Sequence, residues 1–184
     1  GPKPLPVQHL VPGQAKPSGS GLNPCFLWDN SAYLLGYVSS RQSNETDEGY
    51  ENRIKRTGLS FEAFRDRHLK LEQEINDPSF SAVCQLLSQW QPEKTSDYAI
   101  LEDISSGFGV FQLIGETKFV HEHSAIQAWW NHQQKESPSK TSLSFCLITG
   151  QNTSAALIHE PAIKGVGGAQ SSGAKLVSFN CDAF

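Results

Sequence analysis

The spacing of hydrophobic and polar positions changes several times along this chain of 184 residues. Between 60 and 92 it is helical. Phe61, Phe64, His68, Leu69 and Ile75 fall near one face, behind Ser60, whose hydroxyl can accept from the free amides of a helix start. Asp77-Pro78 marks a second start, an N-cap followed by proline where its missing N–H costs nothing. Phe80, Val83, Cys84, Leu87 and Trp90 continue at helical intervals until Pro92 ends the helix. Residues 100–104 predict a short helix, and Ser124 opens another carrying Ile126, Trp129 and Trp130.

Elsewhere the period is two. Residues 108–114 and 117–121 flank Gly115-Glu116, a glycine-first connection that predicts a type II′ hairpin. A second hairpin is predicted from 143–149 and 155–159 around Gly150-Gln151-Asn152, and a last strand over 175–180. Residues 26–38 read as a strand with a turn or as two short strands. The polar, charge-dense run 39–58 reads as a surface loop. Residues 1–24 hold six of the ten prolines and predict an extended or irregular arm, able to drape over a partner. Beyond it, 25–184 reads as one domain. Helices and hairpins are segregated and do not alternate as βαβ units, so the fold class is α+β, with antiparallel hairpins packed on helices.

Charge and cysteines narrow the function. Fifteen Lys and Arg stand against nineteen Asp and Glu, a net charge of −4. Proteins that coat nucleic acid nonspecifically are usually basic, so the isolated chain should bind duplex weakly. Cys25, Cys84, Cys146 and Cys181 form no CxxC pair, which reads as reduced thiols in a cytoplasmic compartment. No apolar run approaches the roughly 20 residues of a membrane helix. Methionine is absent, Gly1-Pro2 looks like a protease scar, and the last residues are apolar, so a piece of a longer polypeptide is expected.

The most unusual segment is 163–175, IKGVGGAQSSGAK. Four glycines in nine residues let the backbone approach another molecule closely and present several N–H groups, with Gln170, Ser171 and Ser172 as short hydrogen-bonding side chains and lysines at both flanks. This suits contact with phosphates and a narrow groove; a merely flexible turn has the same composition. Nucleotide and dinucleotide loops do not fit. Lys175 stands one position late without a following Ser or Thr, and Gln170 occupies the third glycine's place. No cofactor is implied. A serine nucleophile elbow fails too: 169–173 is one residue off, the strand–turn–helix context is missing, and His159 is the nearest base. His121-x-His123 with Cys146 and His159 gives a loose zinc set that no spacing demands, so ordinary histidines and no metal are expected. Trp90, Trp129 and Trp130 lie at core spacing, where packing explains them better than base stacking.

Three blocks together are similar to a known family. They are Phe26-Leu27-Trp28-Asp29-Asn30 with Tyr33-Leu34-Leu35-Gly36, then Phe61-Glu62-Ala63-Phe64 with His68, and finally His159, Pro161 to Val166, Gly168 to Ala174 and Leu176 to Asn180. Across most of residues 16–184 the chain resembles the N-terminal half of the large subunit of the type I-C CRISPR surveillance complex (Cascade), Dvulg subtype. The resemblance implies antiviral work without catalysis, beside other Cascade subunits and the guide RNA. Its large subunit binds the short PAM on target double-stranded DNA, helps to part the strands and recruits a helicase-nuclease in trans. Carried onto this sequence, the duplex-contact residues are Lys164, Gly165, Gly168, Gln170, Ser171, Ser172 and Asn180, with Lys175 as a phosphate contact. The alternative implied is an assembly module that docks on other subunits and the guide RNA handle without reading DNA.

Overall fold

The computed structural model describes residues 9–13, 21–104, 107–136, 143–145, 150–154, 163 and 167–168. The architecture is α+β, as the segregated periods imply. Two compact units, 1–132 and 133–184, divide the chain at a point that no break in composition marks.

In the first unit, strand β1 (Trp28–Asn30) runs straight into helix α1 (Ser31–Leu35). The strand pair allowed for in 26–38 is therefore one strand and one helix. Asn30 causes the switch: its backbone is extended (φ −76°, ψ 168°) while its side chain accepts from the amides of Ala32 and Tyr33. Gly36 ends α1 at φ +67°, donating to Ala32 O, and Tyr37 N–H reaches back to Ser31 O.

Helix α2 (Asp47–Ile75) is 29 residues long. The run read as a loop over 39–58 is helical from Asp47 onward, and Ser60 is a buried residue of the helix interior instead of its cap. The true cap is Thr46, which accepts from Gly49 N–H, with Asp47 and Glu48 in the first turn, where the helix dipole favours negative charge. Glu48, Glu51, Arg53, Lys55 and Arg56 are good helix formers. They hid the helix because nothing before Thr57 is buried, leaving no apolar period to read. The preceding segment is held by two charged residues. Arg53 donates to both oxygens of Glu45 (2.9 and 2.7 Å) and to Ser39, and this hydrogen bonding holds the Glu45 carboxyl below its usual range. Glu102 accepts from the Tyr37 hydroxyl and the Ser40 amide, which lower its pKa; the same bond pushes the Tyr37 phenol up to about 12.

Asn76 stops α2 in the left-handed region (φ +46°), and Asp77 starts α3 (Pro78–Gln89) by accepting from Ser79 and Phe80 amides. A 3-10 turn (Pro92–Asp97) and α4 (Ile100–Asp103) follow. Strand β2 (Phe108–Val110) pairs antiparallel with β1, Trp28 opposite Val110 and Asn30 opposite Phe108. The hairpin expected around Gly115-Glu116 shrinks to a bridge between Gln112 and Phe119, followed by a 3-10 turn (Val120–Glu122). Two local bonds explain this. Glu116 N–H closes on Leu113 O with Gly115 third in the turn at φ +88°, the type II arrangement instead of II′. Glu122 then takes the Phe119 amide at 2.8 Å, which turns the chain out of the ladder. Helix α5 (Ser124–Glu136) begins where Ser124 predicts.

The core joins Phe26 and Leu27 to Phe61 and Phe64 of α2, Phe80, Val83 and Leu87 of α3, Val120, and Ile126 of α5. Trp90 packs against it and donates its indole N–H to Leu35 O (2.9 Å); Trp129 and Trp130 pack there too, Trp130 stacking on Phe26 at 4.9 Å. At the centre lies His68, fully buried. Its Nε2 accepts from Leu27 N–H at 3.0 Å, so in the neutral ring Nδ1–H donates to Phe64 O at 2.7 Å. Leu27 itself sits at φ +59°, a conformation that costs a bulky residue about 1–2 kcal/mol.

In the second unit, β3 (Leu143–Phe145) pairs antiparallel with β4 (Asn152–Ser154), Phe145 opposite Asn152. The partner of 143–145 is thus 152–154, which begins at Asn152 of the expected turn, whereas the strand expected over 155–159 lies outside the described residues. The strand predicted over 175–180 lies outside the described residues.

Two outcomes follow. Burial pushes the His68 imidazole down to about 4, so the unfolded chain takes up the proton first as pH falls. Stability from this group is complete above pH 6.5 and falls by about 3 kcal/mol toward pH 4. Urea unfolding across that range should show the slope in the parent and a flatter one in His68→Gln. Gly36→Ala places a Cβ 2.8 Å from Pro92 Cβ at a positive φ, and should cost about 2 kcal/mol or more in the same assay.

Candidate nucleic-acid interface

The glycine-rich segment belongs to the second unit, and its described part is a turn. Gly167 and Gly168 are exposed, and Gly168 has φ +80°. A Cβ built on either residue meets nothing within 4 Å, so the glycines are not forced by internal crowding. What requires glycine at 168 is the backbone angle. Ile163, at the start of the segment, is also exposed. Of the carried-over residues, Gly168 is placed; Lys164, Gly165, Gln170, Ser171, Ser172, Lys175 and Asn180 lie outside the described residues, as do His159, Cys146 and Cys181.

The motif blocks at 26–36 and 61–68 converge in space, and they converge on backbone rather than on a cleft. Asp29, wholly buried, accepts from Cys25 N–H through Oδ2 (2.9 Å) and from Asn30 N–H through Oδ1 (2.8 Å). Arg67 donates to Pro24 O, and burial lowers its pKa. Together with His68 on Leu27, these side chains hold the irregular run 24–30 inside the protein. An aspartate, a histidine and an arginine that could read as chemistry therefore serve the fold.

The other candidates resolve similarly. His121 and His123 occupy the 3-10 turn and its end, where no strand face aligns them. His121 Nε2 is 2.9 Å from Leu10 O, and His123 lies between Ser79 Oγ (3.1 Å from Nδ1) and Glu116 Oε2 (3.0 Å from Nε2). Among the described residues no three His, Cys, Asp or Glu side chains gather as a metal site. Cys25 and Cys84 are buried and in no disulfide, and desolvation pushes the Cys84 thiol up to about 12, away from reactivity.

Sequence reasoning missed the Ser79–His123–Glu116 cluster, because its members come from three separate elements. It has the composition of a hydrolytic triad. Ser79, however, is only 8% exposed and sits in the first turn of α3, its amide held by Asp77. His123 Nε2, although 3.0 Å from Glu116 Oε2, makes no hydrogen bond, so the three side chains do not form a proton relay; the Ser79–His123 bond ties the end of the 3-10 turn to α3.

The family model of the CRISPR-associated protein (Cas_Csd1) matches residues 1–184, and the chain belongs to that CRISPR-associated family. Comparison with individually curated proteins gives no match. Among the described residues no helix is long and apolar enough to cross a membrane.

This cluster predicts two results. A fluorophosphonate probe should leave Ser79 unmodified in the folded chain, read by peptide mass spectrometry. His123→Ala should cost about 1–3 kcal/mol in urea by leaving the buried Ser79 hydroxyl without its partner.

Proposed function

We propose that this chain is a segment of the large subunit of a cytoplasmic, type I-C Cascade, acting without catalysis to recognise the PAM duplex and help separate its strands. Membership of the CRISPR-associated family supports the setting. The observation that carries the reading is the exposed turn at Gly167-Gly168, open around both glycines and held at φ +80°. Such a turn presents backbone amides to a surface that no side chain of its own obstructs. The minor groove admits short donors to its N3 and O2 acceptors, which suits main-chain amides, Gln170, Ser171, Ser172 and Asn180. Lys164 and Lys175 would meet phosphates on either side. Base pairing with the guide reads the target sequence, so the protein needs only this short contact. The same assembly would bring in the other Cascade subunits and recruit the helicase-nuclease in trans.

A second reading has its own support. The net charge of −4 opposes duplex binding, and Tyr98, Ile100, Ile104 and Phe108 are exposed in the first unit, as a docking surface for other subunits would be. In that reading the chain is an assembly module, and the guide RNA handle or neighbouring subunits meet the glycine segment.

Photo-crosslinking of the assembled complex to a PAM duplex separates the two. Adducts at 164–173 are expected for duplex reading; adducts confined to other subunits establish the assembly module. Gln170→Ala should weaken PAM-dependent binding about 5- to 100-fold by loss of a base contact. Lys164→Ala should weaken binding to all sequences alike and reduce its salt dependence by about one phosphate contact.

A further inference from the structure

Helix α2 joins two unlike parts. From Asp47 to Arg56 no residue is fully buried, and polar groups tie this part to the segment before it. The Arg53 guanidinium, besides its bonds to Glu45, donates to Ser39 O and Oγ at 3.0 Å and lies over the Tyr50 ring at 5.1 Å. Arg41 donates to Glu45 O at 2.7 Å and pairs with Asp47. Burial begins at Thr57 and continues through Ser60, Phe61, Phe64 and His68, of which the two phenylalanines belong to the core.

Gly58 stands at the change. Nearby glycines have a reason in the fold: a Cβ on Gly49 would meet Thr46 Oγ1 at 3.0 Å, and one on Gly109 would press on Leu34 Cδ1 at 2.7 Å. Gly58 has no such reason. Its backbone is helical without a positive φ, and a Cβ built there meets nothing within 4 Å. Alanine would fit, yet the position holds the poorest helix former after proline. It does so in the interior of a helix of 29 residues, far longer than the average of about 11–12. Long helices bend where glycine and serine lie close together, and Ser60 follows two positions on.

We propose that Gly58 is a joint in α2. The part from Asp47 to Arg56 bends there, carrying the segment 39–46 tied to it through Arg53, while the part from Ser60 to Ile75 stays fixed in the core. Ties between charged and hydrogen-bonding groups near the surface trade partners with water at little cost. Withdrawing Phe61 or Phe64 would instead expose apolar rings, so the weakest point of the rod is the glycine between the two. This joint lies in the first unit and stands whether or not the glycine turn of the second unit meets DNA.

Trypsin reads the joint directly, because Arg56 lies just before it and Arg65, Arg67 and Lys70 lie beyond it. A bond within a helix is cut only when the chain opens locally. The full chain, folded and at low ionic strength, is digested briefly and each bond is followed by mass spectrometry. Each rate is divided by that of a peptide of residues 50–64 carrying the same substitution, which cancels the protease's own preference. Cleavage after Arg56 should be about tenfold faster than after Arg65, Arg67 or Lys70. Gly58→Ala should slow it about fivefold, the helix preference of alanine over glycine. Arg53→Gln loosens the tied segment and should speed it severalfold. Asn52→Ala, an exposed position in the moving part, should leave it unchanged, since that part stays helical as it bends. Four results overturn the proposal: cleavage after Arg56 no faster than at the three bonds beyond, no slowing by Gly58→Ala, no effect of Arg53→Gln, or equal slowing by Asn52→Ala and Gly58→Ala. The last would mean that the whole amino-terminal part unwinds instead of turning about one residue.

Discussion

One buried imidazole organises the first unit. The run from Cys25 to Asn30 is neither helix nor, until Trp28, strand, yet Cys25, Phe26, Leu27 and Asp29 are all inaccessible to solvent. Irregular backbone in an apolar interior is tolerable only where each amide finds a partner, since an unpaired buried N–H costs several times what a made bond contributes. His68 supplies the acceptor for Leu27 from α2, and Asp29 supplies those for Cys25 and Asn30 from within the run. The positive φ of Leu27 is tolerated because this surrounding set determines it from several sides.

That arrangement separates the roles of the sequence motifs. The blocks around Phe26 to Gly36 and Phe61 to His68 lock one another in place and present no reactive group to solvent. The glycine turn is the opposite case: exposed, unobstructed, and with no internal reason for its composition apart from a backbone angle at Gly168. A CRISPR-associated chain built this way carries its fold in one unit and an open turn in the other.

What the sequence made legible follows the same physics. Helix α3 was readable because Asp77-Pro78, the apolar period and Pro92 all point to one answer, and the structure has the cap, the start and the stop where those residues put them. Helix α2 was readable only from its buried half; its first turns carry no apolar period, and a cap such as Thr46 is one polar residue in a polar stretch. The hairpin at Gly115 was placed one residue off because a positive φ can serve the second or the third position of a turn, and only the closing bond of Glu116 to Leu113 decides. Of the candidate site, composition revealed the glycine segment but no spacing joined it to a partner. The contacts of His123 with Ser79 and of His121 with Leu10 were illegible because they join residues 44 and 111 positions apart.

The length of α2 has a mechanical consequence. At about 1.5 Å per residue, its 29 residues extend roughly 44 Å, and none of the residues from Asp47 to Arg56 is fully buried. That end is secured by Thr46, by the Arg53–Glu45 pair and by the dipole, all of which ions and water weaken, whereas the far end is clamped by aromatic rings. Such a helix unravels from its amino end in salt long before the domain opens, and amide exchange along it becomes a gradient in place of a single cooperative step.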